Sequence, residues 1–253
     1  MLRLVIDGPC AELRIDRPER RGAFDLAMWQ ALPGLLAEAE ATPGVRLLLL
    51  RSAVAGMFSA GADIAELLAR SGDPAWRADN QAALFAAQHA LTRTPLPSIA
   101  FVDGDCIGGG CGLALACDLR VATPRARFGI TPARLGLVYP FHDTKLLVDL
   151  VGPARAKRLL FTGQLIDAAE AERIGLVDLI ADTPDALTAP ILAASPHSVR
   201  EAKAMVRRVL DGQADEDEAT RAIFARAFTL PDFAEGTAAF TQKRAPRFTG
   251  PET

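Results

Sequence analysis

The sequence predicts an α/β fold in which short apolar strands alternate with helices and are followed by a mainly helical region. Up to about residue 125, apolar runs of strand length alternate with stretches that carry helix-capping residues. Two of these runs end in small residues at a helix start, and after about residue 143 one helix signal follows another. Such alternation is typical of helices packed on sheets. We therefore predict a core over residues 1–195 and a C-terminal helical region over residues 196–253.

The predicted strands are short apolar runs bounded by turn residues. Residues 2–6 and 12–15 form neighbouring strands joined by a turn at Gly8-Pro9. Continuous apolar runs without alternation are typical of strands that are buried on both faces. The run over residues 45–51 has this character, and further strands are predicted over residues 98–102 and 119–122.

Two helices of the core are marked by capping residues and by the turns that bound them. Asp25 has the residue type and the position of an N-cap for a helix that runs to about Glu40. Pro33 is expected to kink or interrupt that helix. A second helix is predicted over residues 78–91, after a turn over residues 71–74.

Helix starts and stops also organise the remainder of the chain. Pro153 opens one helix and Gly163 closes it, and Asp167 with Glu170 has the spacing of a capping box for another that ends at Gly175. Further helices are predicted over residues 195–210, 219–228 and 233–242.

The composition is that of an ordinary globular protein, and it excludes several classes of function. Half of the residues are hydrophobic, 23% are charged, and the net charge is −3. A nucleic-acid-binding module needs a dense basic surface, and a membrane-spanning helix needs roughly 20 apolar residues in a row; the sequence has neither. The N-terminus alternates like a strand and has no signal-peptide pattern. We expect a cytoplasmic protein without nucleic-acid or membrane partners.

Three of the four cysteines lie in or beside a glycine-rich segment that begins at Gly104. The spacing of Cys106, Cys111 and Cys117 is unlike that of a zinc site, and no histidine lies near them in the sequence. We expect these thiols to be buried between a helix and a strand, and we predict no metal.

Two segments carry the main chemical signal. Residues 58–64 and residues 104–118 each follow a predicted strand and open a helix with small residues. A helix start of this kind leaves backbone N–H groups without partners, and the helix dipole favours negative charge there. Two such starts side by side would bind one oxygen that gains negative charge. The pattern predicts an oxyanion hole in an enzyme that acts on a carbonyl compound.

Five stretches, spread over nearly the whole chain, resemble the crotonase superfamily, the enoyl-CoA hydratase/isomerase family. They occur in the order expected for that family, and together they are far more specific than any one of them. The stretches are Arg17–Phe24, Phe58–Ile64, Val102–Asp118, Thr162–Val177 and Phe240–Phe248.

The resemblance implies a spiral of strand–strand–helix units and an acyl-CoA thioester as substrate. It implies that the backbone N–H groups of Ala62 and Gly109 hold the thioester oxygen, and that coenzyme A enters as part of the substrate without a separate cofactor. It also implies a homotrimer or hexamer with the C-terminal helices at subunit contacts, although apolar positions such as Phe224 could equally belong to a core. The remaining residues expected to contact substrate are Arg20, Ala23, Ala60, Asp63, Ile64, Gly108, Gly110, Pro132, Leu135 and Lys243.

The sequence departs from the family where hydratases carry two glutamates. The matching positions hold Gly112 and Pro132, neither of which can move a proton. The standard two-carboxylate hydration and ordinary double-bond isomerisation are therefore not expected from these positions.

Three neighbouring residues are the candidates for the missing chemistry. Tyr139, the only tyrosine, lies in a stretch similar to that of family decarboxylases acting on malonyl-type thioesters, but it could equally be a buried aromatic residue. His142 could act as an acid or base, or be an ordinary loop histidine. Asp143 could be catalytic or could cap the next helix.

We predict an acyl-CoA enzyme that stabilises a thioester enolate, with its exact reaction open between a lyase and an isomerase. Decarboxylation of a malonyl-type thioester and acyl-CoA binding without catalysis are the alternatives within the family. A dinucleotide-dependent oxidoreductase is disfavoured because Gly108-x-Gly110 lacks a third glycine at the required spacing.

Overall fold

The computed structural model describes residues 1–248, and the chain is divided into two compact units. The first comprises Met1–Thr94 and Ser98–Pro184, and the second comprises Pro95–Pro97 and the chain from Asp185 onward. The division thus falls before a helix that the sequence analysis did not predict, whereas the boundary predicted from the sequence lies after residue 195. No proline- or glycine-rich linker marks the observed division.

Ten strands lie within the described part of the chain, all of them in the first unit. They are β1 (Leu2–Asp7), β2 (Cys10–Ile15), β3 (Leu47–Ser52), β4 (Met57–Ser59), β5 (Ser98–Val102), β6 (Asp105–Ile107), β7 (Leu119–Ala122), β8 (Arg127–Gly129), β9 (Ile166–Asp167) and β10 (Leu179–Ile180).

The strands form two sheets. The larger has the order β1-β2-β3-β5-β7-β10, in which β1 is antiparallel to β2 and the other pairs are parallel. The smaller has the order β4-β6-β8-β9, and only the β8–β9 pair is antiparallel. Each pair β3–β4, β5–β6 and β7–β8 therefore places one strand in each sheet. This repetition builds the predicted strand–strand–helix spiral.

Eleven α-helices are found in residues 1–248, and none of them is long and apolar enough to cross a bilayer. Those of the first unit are α1 (Leu26–Ala41), α2 (Ile64–Arg70), α3 (Pro74–Arg93), α4 (Gly109–Ala116), α5 (Phe141–Val151), α6 (Pro153–Thr162) and α7 (Ala168–Arg173). Those of the second unit are α8 (Asp185–Ala193), α9 (Pro196–Leu210), α10 (Glu218–Ala227) and α11 (Pro231–Thr241).

The centre of the large sheet is apolar because its strands are covered on both faces. Leu47, Leu48, Leu49 and Leu50 of β3 are all buried, and β3 lies between β2 and β5 with Leu49 opposite Ile99. Parallel strands in such positions have no face directed to water, which explains the apolar run without alternation.

Helix α1 begins as predicted but is not interrupted. The Asp25 side chain accepts a hydrogen bond from the Met28 N–H at 2.9 Å, and the helix continues through Pro33 to Ala41. Of the two effects expected at Pro33, a kink or an interruption, the interruption does not occur. The missing proline N–H removes one helical hydrogen bond, but the buried face of the helix maintains its path. That face carries Trp29, Leu32, Leu36 and Ala39.

Helix α3 begins earlier than the sequence analysis predicted. The carboxylate of Asp73 accepts a hydrogen bond from the Ala75 N–H at 2.9 Å and caps the helix, and Pro74 is its first residue. Proline is favoured there because the first helical N–H has no intrahelical partner. The predicted turn over residues 71–74 therefore includes the N-cap and the first residue of α3. The helix that carries Gln88 is longer at its N-terminus than predicted.

A single carboxylate ties together the loops that join the two sheets. Asp103 accepts hydrogen bonds from both Nε and Nη2 of Arg125 at 2.6 Å, from Thr123 at 2.9 Å and from the Gly56 N–H at 2.7 Å. Gly104 has φ +103°, and a Cβ there would lie 2.2 Å from the Gly56 carbonyl oxygen. The hydrogen bonds from Arg125, followed by those from Gly56 and Thr123, outweigh burial and lower the Asp103 pKa from 3.8 to about 2.

We expect Asp103→Asn to reduce stability at neutral pH and to remove an acid-dependent component of it. Because the folded pKa is depressed, this stabilisation is complete above pH 3.8 and is lost as the pH falls towards 2. With Arg125 largely exposed, we expect a loss of about 1–2 kcal/mol at pH 7. Urea unfolding between pH 7 and pH 2.5 should show the two proteins converging in acid. Asp79→Asn, on the exposed face of α3, is the control; a constant difference between wild type and Asp103→Asn would contradict the linkage.

Candidate active site

The two glycine-containing segments meet where β4 pairs with β6. The register places Ser59 opposite Cys106, so the residues after each strand run side by side. Gly61 has φ +88°, and a Cβ there would lie 2.5 Å from the Ile107 carbonyl oxygen and 2.9 Å from the Gly109 nitrogen. Only glycine allows both this conformation and this approach.

Two backbone N–H groups border the same small space. Among residues 1–248, neither the Ala62 N–H nor the Gly109 N–H has a hydrogen-bonding partner. The Ala62 nitrogen lies 3.5 Å from the place where a Cβ on Gly109 would stand. The flanking backbone is fixed, because Phe24 donates to the Gly61 carbonyl at 2.7 Å and accepts from the Asp63 N–H at 2.8 Å. The Gly109 N–H also opens α4, whose dipole favours an anionic oxygen.

The neighbouring glycines of the second segment have separate structural roles. Gly108 has φ +53°, and its N–H donates to the Gly129 carbonyl at 2.8 Å, which turns the chain from β6 into α4. Gly110 packs against β4, since a Cβ there would lie 2.6 Å from the Ser59 carbonyl oxygen. A side chain at residue 110 would therefore overlap β4, and the positive φ of Gly108 disfavours residues other than glycine.

Arg17 holds the chain on the other side of Ala62. Its guanidinium donates to the Ala23 carbonyl at 2.9 Å and contacts the carboxylates of Asp63 at 2.8 Å and Asp25 at 3.3 Å. Asp63 is buried and also caps α2 by accepting from the Ala65 N–H at 2.9 Å. Burial alone raises the pKa of Asp63, but the N–H donors of α2 and the charge of Arg17 lower it overall. Asp63 therefore stays ionised and anchors the residue next to Ala62.

A buried carboxylate occupies the space beside Gly112. Asp143, in the first turn of α5, is 1% exposed, and its Oδ2 accepts a hydrogen bond from Gln88 Nε2 at 3.0 Å. A Cβ built on Gly112 would lie 2.5 Å from Asp143 Oδ2 and 2.5 Å from Gln88 Nε2. His142 Nδ1 lies 3.4 Å from the other carboxylate oxygen. The absence of a side chain at Gly112 is what makes room for this pair.

Tyr139, at the end of the loop that leads into α5, contacts the segment that begins α4. Its hydroxyl donates to the Gly108 carbonyl oxygen at 3.2 Å, and the side chain is buried. Burial, together with the nearby negative charge of Asp143, raises the pKa of Tyr139 well above its ordinary value of 10. The hydroxyl is therefore neutral and acts as a donor at physiological pH.

Comparison with known proteins identifies the family of this chain. A family model described as enoyl-CoA hydratase/isomerase matches residues 6–251. The chain belongs to the enoyl-CoA hydratase/isomerase family. It is similar to a solved protein from Hyphomonas neptunium assigned to that family, with a TM-score of 0.92 and 42% identity over 98% of this chain and 97% of that one.

Two further relatives support the assignment. An enoyl-CoA hydratase from Bacillus anthracis superposes with a TM-score of 0.88 at 25% identity, with 99% of each chain covered. A Mus musculus protein named enoyl-CoA hydratase domain-containing protein 2, mitochondrial, is 34% identical over 255 residues, which span 94% of this chain and 84% of the relative. The predicted α/β crotonase-like fold and family resemblance are confirmed.

The structure brings some of the predicted site residues together and leaves others apart. Those that meet around the start of α4 are Ala62, Gly108, Gly109, Gly110, Tyr139, His142 and Asp143. Along the two segments that approach Ala62, the structure places Ala23, Ala60 and Asp63.

The other predicted substrate contacts lie on more open surfaces. Arg20 ends an exposed turn of 3-10 helix, and Ile64 is 44% exposed at the start of α2. Pro132 and Leu135 begin and end another such turn. Lys243 follows α11 in the second unit. Their roles stay predictions.

Two local interpretations of the sequence are wrong. His142 is not a loop residue, because α5 begins at Phe141. Asp143 does not cap α5, since Pro140 holds the N-cap position and the Asp143 carboxylate bonds to Gln88 instead.

Gln88 is the site residue that sequence analysis did not find. It is separated from Asp143 by 55 positions, and only the packing of α3 and α5 against α4 brings the two together. The one signal in the sequence is an amide on a helix face whose other members, Ala83, Ala87 and Leu91, are apolar and buried.

We expect Gly112→Ala to displace the Asp143 carboxylate. The new methyl group would overlap both members of the Asp143–Gln88 pair, and overpacking a buried site costs about 1–3 kcal/mol. Thermal unfolding should record this loss, and catalytic activity on an acyl-CoA should fall by more than the loss of folded protein explains.

The matched control is Gly34→Ala within α1, where an added Cβ would meet nothing within 4 Å. Because alanine is the better helix former, this variant should be neutral or more stable by about 0.5–1 kcal/mol. Equal behaviour of the two variants would show that Gly112 does not make room for the carboxylate.

Proposed function

We propose that this member of the enoyl-CoA hydratase/isomerase family binds an acyl-CoA thioester, stabilises its enolate and moves one proton with Asp143. The observation that carries the proposal is the buried Asp143 carboxylate beside Gly112. Gly112 follows Gly109 by three residues in α4, and the Gly109 N–H has no partner within residues 1–248. An anion-binding helix start and a group able to move a proton are the two components that enolate chemistry needs.

The N–H groups of Ala62 and Gly109 are proposed to receive the thioester oxygen. Both belong to backbone that is already fixed, so they need no reorganisation as negative charge develops. Loss of one donor of this type typically costs about 3–4 kcal/mol of transition-state stabilisation. The support for this role is that both groups lack a partner within residues 1–248 and border one space.

Asp143 is proposed to carry the proton. In double-bond isomerisation, it would take a proton from one carbon of the enoyl chain, the electron pair would pass into the thioester enolate, and the proton would return to another carbon. In hydration, it would take a proton from water as the water oxygen bonds to Cβ, and give that proton to Cα. Both reactions balance with one carboxylate, and both pass through the same enolate.

Two features favour proton transfer over decarboxylation of a malonyl-type thioester. The decarboxylase interpretation needs a polar group that binds the substrate carboxylate. The Tyr139 hydroxyl is already engaged, because it donates a hydrogen bond to the Gly108 carbonyl. The carboxylate of Asp143 would also repel a second carboxylate in the same space.

Exchange of the α-protons of a saturated acyl-CoA in D₂O tests the proposal directly. Wild type should incorporate deuterium at Cα of butyryl-CoA, as measured by mass spectrometry, because exchange needs only the enolate and the proton-transfer group. Asp143→Asn keeps the size and hydrogen-bonding capacity of the side chain but cannot accept a proton, so exchange should fall about 10²–10⁴-fold.

Asp149→Asn is the control, since Asp149 lies on the same helix and pairs with Lys145 at the surface. Exchange that survives in Asp143→Asn would reject Asp143 as the proton carrier. Binding of butyryl-CoA without exchange in wild type would support the non-catalytic alternative, and CO₂ release from methylmalonyl-CoA without exchange would support the decarboxylase. Assays with crotonyl-CoA and its unsaturated isomers then separate hydration from isomerisation.

We also propose a homotrimer or hexamer that works in the cytoplasm. The support for assembly lies in the second unit, where Phe224 is 70% exposed and Phe240 is 86% exposed. The rings of Phe224, Phe228 and Phe233 form a continuous aromatic row with centroid separations of 5.4 and 5.3 Å. Exposed aromatic rows of this kind are typical of protein interfaces. We expect sedimentation at the mass of a trimer or a multiple of it, and a monomer at micromolar concentration would contradict this.

A further inference from the structure

One peptide group has both of its polar atoms engaged at the site. The Gly108 carbonyl and the Gly109 N–H belong to the same peptide unit, which begins α4. The carbonyl oxygen accepts from the Tyr139 hydroxyl at 3.2 Å and from the Gly112 N–H at 3.1 Å. The N–H at the other side of the unit has no partner among the described residues. This peptide thus accepts two hydrogen bonds at its carbonyl oxygen, while its N–H is free to donate to a ligand.

We propose that Tyr139 is a positioning residue that orients and polarises the Gly108–Gly109 peptide, so that the Gly109 N–H becomes a stronger donor to a thioester oxygen. This inference rests on the proposed function, because it assigns a use to that N–H.

Polarisation follows from the resonance of the amide. A hydrogen bond to the carbonyl oxygen draws electron density from nitrogen, and chains of hydrogen bonds strengthen one another by about 10–30% per bond in condensed phase. The effect is largest where water is excluded, and Tyr139 is only 6% exposed.

Orientation is the second contribution. Gly108 has φ +53° and no side chain, so its own conformational preferences do not fix the peptide plane. The Tyr139 hydroxyl reaches the carbonyl from a different part of the chain, 31 positions away, and limits rotation of that plane. The tyrosine therefore acts through the backbone, without itself touching the substrate.

The test measures the thioester C=O stretching band of bound acyl-CoA, labelled with ¹³C at the carbonyl, by infrared difference spectroscopy. In wild type the band should move to lower wavenumber on binding. In Tyr139→Phe we expect a clearly smaller displacement, with α-proton exchange reduced about tenfold and the Kd of butyryl-CoA changed less than threefold.

Because Tyr139 is the only tyrosine, growth on 3-fluorotyrosine labels this position alone. The fluorinated phenol is a stronger hydrogen-bond donor of nearly the same shape, so the band should move further than in wild type. The band position in the fluorinated protein can be measured even if Tyr139→Phe folds poorly. A tyrosine with only a structural role would not produce the larger displacement.

Thr123→Val is the matched control, since it removes another buried hydroxyl, the one that donates to Asp103. It should lower stability and leave the band unchanged. If wild type lowers the band but Tyr139→Phe and the fluorinated protein match it, the inference is overturned and the proposed function stands. If wild type fails to lower the band, the proposed function itself fails.

Discussion

The site depends on the close approach of two backbone segments, which only glycine permits. Gly61 passes so near to Gly109 that a single methyl group would contact the Gly109 nitrogen, and its φ of +88° excludes most other residues. This approach leaves two N–H groups beside one space, and neither has a hydrogen-bond partner within residues 1–248. Arg17 fixes the backbone beside Ala62, because its guanidinium bonds to the Ala23 carbonyl and pairs with the Asp63 carboxylate. Unpaired donors are tolerated because they border a space where a ligand or water can accept from them.

Burying a carboxylate costs folding free energy unless protein groups donate hydrogen bonds to it, and Asp143 has few such donors. Asp143 receives one hydrogen bond from Gln88 and lies near His142, while Gln88 Oε1 has no partner within residues 1–248. A pair so sparsely satisfied in the interior is a weak contribution to stability. Its presence beside the start of α4 is better explained by chemistry than by folding. Gly112 has no side chain, and the Asp143 carboxylate from α5 lies where one would begin.

The candidate site brings together three parts of the chain that are distant in sequence. Helix α3 supplies Gln88, α5 supplies Asp143, and the loop before α5 supplies Tyr139, all directed at the first turn of α4. In the proposed function, the backbone of α4 contributes one of the two N–H groups that stabilise the enolate, and side chains from the neighbouring elements act on it. The candidate site is therefore built around one short helix, whose own residues are almost entirely small and apolar.

Much of this could be predicted from the sequence, because the signals are local. The apolar run of β3, the Asp25 cap of α1, the Pro153 start of α6 and the glycine run before α4 each depend on neighbouring residues, and the structure confirms these elements. The ordered motifs also identified the family over nearly the whole chain. Local signals were misinterpreted where packing overrides propensity, as with the uninterrupted helix at Pro33.

Tertiary structure alone decided which side chains meet. The sequence marks Gly112 as unable to move a proton, and it offers Asp143 only as one polar residue near a helix start. That the Asp143 carboxylate stands where a side chain of residue 112 would begin depends on how α5 packs on α4. The Gln88 partner and the bond from Tyr139 to Gly108 likewise join residues 55 and 31 positions apart. Contacts over such separations are set by the packing of whole helices, and no short-range pattern of residues encodes them.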